Sequence, residues 1–512
     1  MRYGFAIDQR TCIGCHACTV ACKTEHEVPV GQFRTWVKYV DQGVFPNNTR
    51  DFGVMRCNHC TDAPCVAICP TKALFKRDDG IVDFDSDRCI GCKSCMQGCP
   101  YDAIYIDDDT HTAAKCNFCA HRIDNDMEPA CVVVCPTHSI WVGDLDDPES
   151  GISKLVNTNP VTVRAAEQNT GPNVFYLGAD RAVLNPLAAP VDSNYLFSSP
   201  DPHRLEVSTD LPIDPVSHAK TTMNTAHPRP WGWRVTTYLW AKGLGGGALI
   251  VAALAVLLGI DLGVLATIVA PALGLVGTAA TGGLLIWDLK RPERFYYLLT
   301  KSNWGSWLVL GSYALASFAA VSGIWLLLGI AVEVGLIGSA GTAFTVLAWL
   351  ALPTGAMVAG YTAFLFGQAE GRDLWQSPLL FWHLLAQAVM VGAGALAVAA
   401  AFAGTAAPGV GLIGAALTIA TVVHLLMLLL EYGGRHATAG AAAAAHMVTH
   451  GRYAPAFWVG AVALAGVAAV MAAVGWAGTT VLASALAGLA VQVALLIYES
   501  VFVRAGQDVP LS

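Results

Sequence analysis

All sixteen cysteines of this 512-residue chain lie between Cys12 and Cys135. They fall into four groups of four: Cys12, Cys15, Cys18 and Cys22; Cys57, Cys60, Cys65 and Cys69; Cys89, Cys92, Cys95 and Cys99; Cys116, Cys119, Cys131 and Cys135. Groups one and three read C-x2-C-x2-C-x3-C, and a proline closes groups two, three and four (Pro70, Pro100, Pro136). Three thiolates two residues apart on a tight loop reach three irons of one cubane. The fourth, three residues on, points to a different cluster. Sixteen thiolates so arranged predict four [4Fe–4S] clusters in a row. A disulfide framework would require a small secreted domain in an oxidising compartment, and the eleven residues before Cys12 hold no apolar signal core. Zinc ribbons use C-x2-C pairs, not triplets closed by x3-C-P.

The rest of the chain is of another kind. Residues 1–230 are polar and Cys-rich; residues 231–512 are rich in Ala, Gly, Leu and Val and carry ten Lys or Arg. The length argues against a single soluble domain. A net charge of −8 argues against a nucleic-acid partner, as does the lack of a basic stripe with interleaved aromatics. No G-x-x-x-x-G-K phosphate loop is present.

Each cysteine group leads into a segment that reads as helix, turn and strand. Residues 71–75 run to Asp79-Gly80 and then to 81–84, and Asp-Gly between apolar runs signals a hairpin. Residues 101–106 and 137–142 repeat the cadence. It resembles a bacterial two-cluster ferredoxin, present twice. Groups two and four are stretched, to C-x2-C-x4-C-x3-C-P and C-x2-C-x11-C-x3-C-P. With A-I-D-Q-R-T-C-I-G-C at 6–15 and G-P-N-V-F-Y-L-G at 171–178, residues 1–188 resemble the electron-transfer subunit of complex iron–sulfur molybdoenzymes. That family includes the iron–sulfur subunits of dimethyl sulfoxide, polysulfide and nitrate reductases. The resemblance implies an α+β double ferredoxin-like domain with nested pairing. One cluster takes Cys12, Cys15, Cys18 and Cys135; the next takes Cys22, Cys116, Cys119 and Cys131. The third takes Cys57, Cys60, Cys65 and Cys99; the last takes Cys69, Cys89, Cys92 and Cys95. Group three keeps all its cysteines, so no [3Fe–4S] centre is expected. His16, His59, His111, His121 and His138 read as packing or surface residues, because full thiolate sets leave no vacancy. Lys23, Lys93 and Lys115 are candidates to tune cluster potential through charge.

Residues 189–230 read as an extended surface linker, broken by Pro190, Pro200, Pro202, Pro212, Pro215, Pro228 and Pro230. Beyond it, eight apolar runs are long enough to cross about 30 Å of hydrocarbon: 236–260, 264–288, 305–330, 340–367, 378–403, 409–431, 455–476 and 479–502. The fold class is thus a ferredoxin-like domain fused to an all-α eight-helix transmembrane bundle (231–504), with a tail at 505–512. Trp231, Trp233, Trp304, Trp307 and Trp375 sit near span ends, as an interfacial belt would.

Eight spans place both ends of this half on the iron–sulfur side. Loops there hold Lys290, Arg291, Arg294, Lys301, Arg372, Arg435 and Arg452; the opposite loops, near Asp261, Glu333, Pro408 and Trp476, hold no Lys or Arg. The positive-inside rule predicts that the iron–sulfur side is cytoplasmic, at an inner (cytoplasmic) membrane, and no twin-arginine leader is seen. Ionisable residues inside spans are costly and default to a functional reading. Lys242, Asp288, His383, His424, Glu431 and Glu499, with Tyr361, all fall in the half of their spans nearer the clusters. A polar pocket at that depth suits a quinone head group, whose chemistry moves two electrons and two protons.

The segments D-L-K-R-P-E-R-F (288–295), G-Y-T-A-F-L (360–365) and G-R-D-L-W (371–375) resemble the NrfD-like membrane subunit of polysulfide reductase. The resemblance covers 231–504. It implies a menaquinone or ubiquinone site and generally no haem. The site residues expected for quinone are Asp288, Arg291, Tyr361, His383, Glu431 and Lys242; His383 and Glu431 are chosen by depth, not by motif. Paired histidines for a b-type haem face each other on two helices, and His383 and His424 are candidates for such a pair. With few titratable groups in the far half of the membrane, no proton pumping is expected.

The reading is an electron-transfer and membrane-anchor subunit of a respiratory oxidoreductase. Its clusters would join a partner with a molybdopterin or tungstopterin to membrane quinone. Substrate chemistry, on a sulfur oxyanion, polysulfide or formate, would lie on that partner; no catalytic residue is assigned to this chain. The alternatives are an ion-translocating redox module exchanging electrons with soluble carriers, and a purely structural anchor.

Overall fold

The computed structural model describes residues 1–190, 218–225, 228–338, 340–403, 409–478 and 480–512. Pro200, Pro202, Pro212, Pro215 and Pro408 lie outside the described residues. The described strands are β1 (Tyr3–Asp8), β2 (Thr35–Val44), β3 (Asn47–Arg56), β4 (Leu74–Lys76), β5 (Val82–Phe84), β6 (Ile104–Ile106), β7 (Ala113–Lys115), β8 (Ile140–Asp144), β9 (Val161–Thr162), β10 (Val174–Leu177) and β11 (Lys220–Met223). One sheet has the order β8-β1-β10-β9, with β1 parallel to β10 and antiparallel to β8. Phe5, Ile7, Val174 and Tyr176 bury its inner face at zero exposure.

The hairpin expected after group two is present, and a second one follows group three. β4 pairs with β5, Leu74 opposite Phe84, around a turn in which Gly80 takes φ +83°. β6 pairs with β7, Ile104 opposite Lys115. The helices differ from expectation. They do not follow the cysteine groups but carry them: Cys18, Cys65, Cys95 and Cys131 are each the second residue of a short helix (Ala17–Glu25, Pro64–Ala67, Ser94–Gly98, Ala130–Val133). The proline after each of groups two to four explains the order. It offers no N–H and pushes the preceding cysteine toward extended backbone, as at Cys99 (φ −82°, ψ 115°), so turn and strand follow.

Among the described residues, eight helices are long and apolar enough to cross a membrane: α1 (Trp233–Leu257), α2 (Leu265–Asp288), α3 (Trp307–Glu333), α4 (Gly341–Gln368), α5 (Leu380–Ala403), α6 (Val410–Gly433), α7 (Ala456–Gly478) and α8 (Val481–Asp508). They match the eight expected spans, except that α8 runs on to Asp508 and absorbs half of the supposed tail. α1 is the central helix: 78% of its apolar window is buried, against 28% for α2 and α3. Small residues let it sit there. A Cβ on Gly247 of α1 would lie 1.7 Å from the Ala388 carbonyl oxygen of α5, so only glycine admits this crossing.

The two halves are strapped together. β11, from the linker, adds antiparallel to β2, Thr221 opposite Val40; that part of the linker is therefore a sheet strand. The C-terminal residues reach the same place. Asn224 Nδ2 donates to the Ser512 carbonyl at 3.0 Å, Arg164 Nη2 to the Leu511 carbonyl at 2.7 Å, and Trp36 Nε1 to Asn224 Oδ1 at 2.9 Å. The tryptophans divide accordingly. Trp233 and Trp304 are exposed, as a belt requires, but Trp231 and Trp375 are 5% and 1% exposed and stack at 5.4 Å between the halves. Trp307 is half-buried and stacks on Phe364.

Candidate functional site

The local backbone shapes the cysteine loops. In group one Gly14 and His16 are left-handed (φ 69° and 60°); in group three Gly91 and Lys93 repeat it (67° and 65°). These turns fold the loop back so that amides face sulfur, as Gly91 N–H faces Cys89 Sγ at 3.4 Å. Cys12, Cys15, Cys18 and Cys135 line one cavity, and Cys69, Cys89, Cys92 and Cys95 line another. Cys65 lies in electrostatic range of Cys99, Cys57 and Cys60, and Cys22 of Cys116, Cys131 and Cys119. Links between these sets are Cys18 with Cys131, Cys116 with Cys57, and Cys95 with Cys65. The thiols therefore run in single file. At one end Cys15 is exposed. At the other, Trp231 Nε1 of the membrane half donates to the Cys92 carbonyl at 3.5 Å.

These thiols suit iron–sulfur clusters. Among the described residues no three His, Cys, Asp or Glu side chains converge on a single-ion site; the thiols surround cavities instead. Burial pushes Cys18, Cys92, Cys99 and Cys116 up to about 12. Buried thiolates need compensating positive charge, which cluster iron supplies as it displaces the protons. When bound, such clusters carry one-electron transfer.

Two residues beside the thiols, Arg56 and His26, escaped the sequence reading. Arg56 is 1% exposed, its Nη1 is 3.4 Å from Cys131 Sγ, and Cys131, Cys116 and Cys18 are its charge neighbours. Its only signal was its place beside Cys57. Of the three candidate lysines, Lys23 donates to the carbonyls of Pro29 and Gln32 (2.8 and 2.6 Å), and buried Lys115 to those of Val82 and Cys116. Both tie loops together. Lys93 differs, because it reaches the membrane half. His16 bonds Tyr39, buried His59 accepts from the Val82 amide, and His121 pairs with Glu25; His111 and His138 are exposed. His26, not singled out by any motif, lies 3.1 Å from Cys119 Sγ.

The membrane half grips the cysteine loop of group three. Lys290 and Arg291 amides donate to the Gly91 and Ile90 carbonyls, both at 3.2 Å. Arg294 Nη1 donates to the Ser86 and Cys89 carbonyls at 2.7 and 2.9 Å. Thus most of the 288–295 motif is a clamp. Arg291 points its guanidinium at the Thr110 carbonyl (2.8 Å) and Glu293, not at a ligand pocket. Gly91 allows the grip: a Cβ there would meet Lys290 Cβ at 2.6 Å and the His111 carbonyl at 3.0 Å, on left-handed backbone. Gly91→Ala is expected to cost about 1–3 kcal/mol from backbone strain alone. Iron analysis and EPR should then show loss of the cluster nearest the membrane, with the others kept.

Of the expected quinone residues, Asp288 lines an open cavity between the halves. Its Oδ2 is 2.7 Å from Lys93 Nζ and its Oδ1 3.7 Å from Arg234 Nη1. The cavity, about 480 Å³, is also lined by Lys93, Trp233, Arg234 and Lys290. Burial pushes the Lys93 ammonium below the usual lysine range, with Asp288 opposing. The other expected residues lie elsewhere. Lys242 Nζ donates to the Val358 and Ala359 carbonyls (3.2 and 2.5 Å) and sits 4.8 Å over the Tyr361 ring. His383 Nδ1 is 2.9 Å from Glu431 Oε2, and its Nε2 is 2.8 Å from His424 Nδ1. The two histidines do face one another, and their imidazoles bond each other directly.

Comparison with known proteins agrees with both halves. Residues 49–145 match the family described as 4Fe-4S dicluster domain, and residues 221–507 match polysulphide reductase, NrfD. The iron–sulfur half is 45% identical over 190 residues to a tetrathionate reductase subunit of Salmonella typhimurium, a match that covers 36% of this chain and 76% of that protein. It is 42% identical over 178 residues to one of the polysulfide reductase chains of Wolinella succinogenes (34% and 93%). It is 35% identical over 225 residues to the arsenate respiratory reductase iron-sulfur subunit ArrB of a Shewanella species (35% and 96%). An electron-transfer iron–sulfur unit is thus fused to a multi-pass membrane unit, and this protein belongs to the polysulphide reductase NrfD family.

Proposed function

We propose that this chain carries electrons through four [4Fe–4S] clusters between a partner catalytic subunit and the membrane quinone pool. The ligand sets are those the resemblance implies, and the single file of thiols supports them. The exposed Cys15 end is the side for the partner, for which a molybdopterin or tungstopterin enzyme is the natural candidate by analogy with the reductases above. Its substrate is a sulfur oxyanion, polysulfide or formate. The quinone, menaquinone or ubiquinone, places its head in the Asp288 cavity. The observation that carries this reading is the Asp288–Lys93 pair: Lys93 follows Cys92 directly, so a group at the far cluster shares a salt bridge with a membrane carboxylate. Exposed Trp233 and Trp287 flank the helix ends there and suit an entry from lipid. The Lys and Arg asymmetry of the loops supports a cytoplasmic iron–sulfur side.

The test is direct. The clusters of the full chain are reduced, the excess reductant is removed, and a menaquinone or ubiquinone analogue is added. Optical and EPR signals should show rapid reoxidation. No reoxidation by any quinone would favour exchange with soluble carriers instead.

A further inference from the structure

Arg56 is the last residue of β3, opposite Thr35 of β2. Val54, two residues earlier and so on the same face of the strand, lines the cavity of Cys12, Cys15, Cys18 and Cys135. The Arg56 side chain therefore enters the thiol file. Its guanidinium carbon lies 4.3 Å over the Phe5 ring of β1, and its Nη1 is 3.4 Å from Cys131 Sγ. Its charge neighbours are Cys131, Cys116 and Cys18. Cys18 belongs to the first of the proposed ligand sets; Cys116 and Cys131 belong to the second. One cation thus stands at the junction of two sets.

This arginine is 1% exposed, yet its Nε and Nη2 have no hydrogen-bond partner and no carboxylate pairs with it among the described residues. A buried guanidinium without an anion is unfavourable, and a residue kept only for packing would bond its donors or carry none. Other buried cations of the iron–sulfur half are engaged elsewhere. Lys115 donates to the Val82 and Cys116 carbonyls, and Lys93 pairs with Asp288. Lys38 Nζ also lacks a partner, but its charge neighbour is Arg164 and not a thiol.

We propose that Arg56 raises the reduction potentials of the first two clusters and so keeps the step between them open to electrons. This rests on the cluster reading above. A cubane held by four thiolates is an anion, and reduction adds one more negative charge where no water spreads it. A fixed positive charge favours the reduced form. Unpaired N–H groups act in the same sense, because hydrogen bonds to cluster sulfur are a second lever on potential. Arginine suits the place, since its guanidinium keeps its proton at any working pH. In each transfer one electron leaves one cluster and enters the next; no bond forms or breaks, and no proton moves.

The test is an EPR-monitored redox titration of the full chain in detergent at fixed pH. Arg56→Met keeps an apolar stem and removes the charge. Two of the four midpoints should fall, each by about a tenfold change in the ratio of reduced to oxidised cluster, which is about 59 mV for a one-electron couple. The other two should stay in place. Arg56→Lys keeps the charge and should keep most of the wild-type potential. Iron and sulfide per chain should match the wild type in both; where Arg56→Met does not fill its clusters, Arg56→Gln is titrated in its place. Unmoved midpoints in the neutral variant, an equal fall in Arg56→Lys, or a fall shared evenly by all signals would overturn the inference. A wild type holding fewer than four cubanes would overturn the four-cluster reading instead. The signals that remain would still decide for Arg56 if they fell in Arg56→Met, and against it if they did not.

Discussion

Asp288→Asn is expected to slow quinone-driven reoxidation of the clusters by roughly 100-fold. The substitution keeps the size of the side chain and an oxygen for Lys93, which now lies 2.7 Å from Oδ2. It removes the charge between Lys93 and Arg234, and with it the ability to give or take a proton in the cavity where the quinone is proposed to bind. The effect should fall on the turnover rate, with the analogue concentration for half-maximal rate little changed. Dithionite reduction of the clusters should be as fast as in wild type, because the thiol file is untouched. A wild-type reoxidation rate in Asp288→Asn would move the head group away from this cavity.

Arg372→Ala is expected to cost about 3–5 kcal/mol, the scale of breaking a buried ion pair by removing one partner. Arg372 is 4% exposed, donates from Nε to Gln97 Oε1 at 2.8 Å, from Nη1 to the Gln507 carbonyl at 3.2 Å, and lies 3.5 Å from Asp102. It joins the loop carrying Cys95 and Cys99 to the end of α8. Without it, Asp102 and the carbonyls lose a shared donor in a dry place. The full chain in detergent should melt earlier. Hydrogen exchange should rise at the 95–102 and 505–510 segments, and reoxidation by quinone should fall while reduction of the clusters persists. Arg372→Lys should not rescue, because a point charge cannot reach acceptors on two sides as the planar fork does.

Local chemistry was legible in the chain; azimuth was not. The spacing of Cys89, Cys92 and Cys95 is a local constraint, so the loops could be read directly, and hydrophobic length marked α1 to α8. The depth of His383, Glu431 and Asp288 followed from their places along the helices. Which neighbour each would face depends on how α1, α2, α5, α6 and α8 rotate against one another. The six candidates thus separated into the Asp288 cavity, the Arg291 clamp, the Lys242–Tyr361 contact and the His383–Glu431 chain. Trp231 and Trp375 were misread for a related reason: an aromatic near a span end looks the same whether lipid or a docked domain lies above it. Arg56 and His26 were invisible because contact with Cys131 and Cys119 is made only by the fold.

The strap formed by β11 and the C-terminal residues, together with the clamp on Gly91, has a kinetic meaning. A carrier that diffuses to a membrane acceptor pays for each encounter, and its rate follows its concentration. Here the cysteine loops and the Asp288 cavity belong to one covalent body, so on the proposed reading the effective concentration of donor and acceptor is permanently high. The last electron hop has a fixed length. Its speed is then governed by the difference in potential across that gap, and dilution or salt should leave it unchanged.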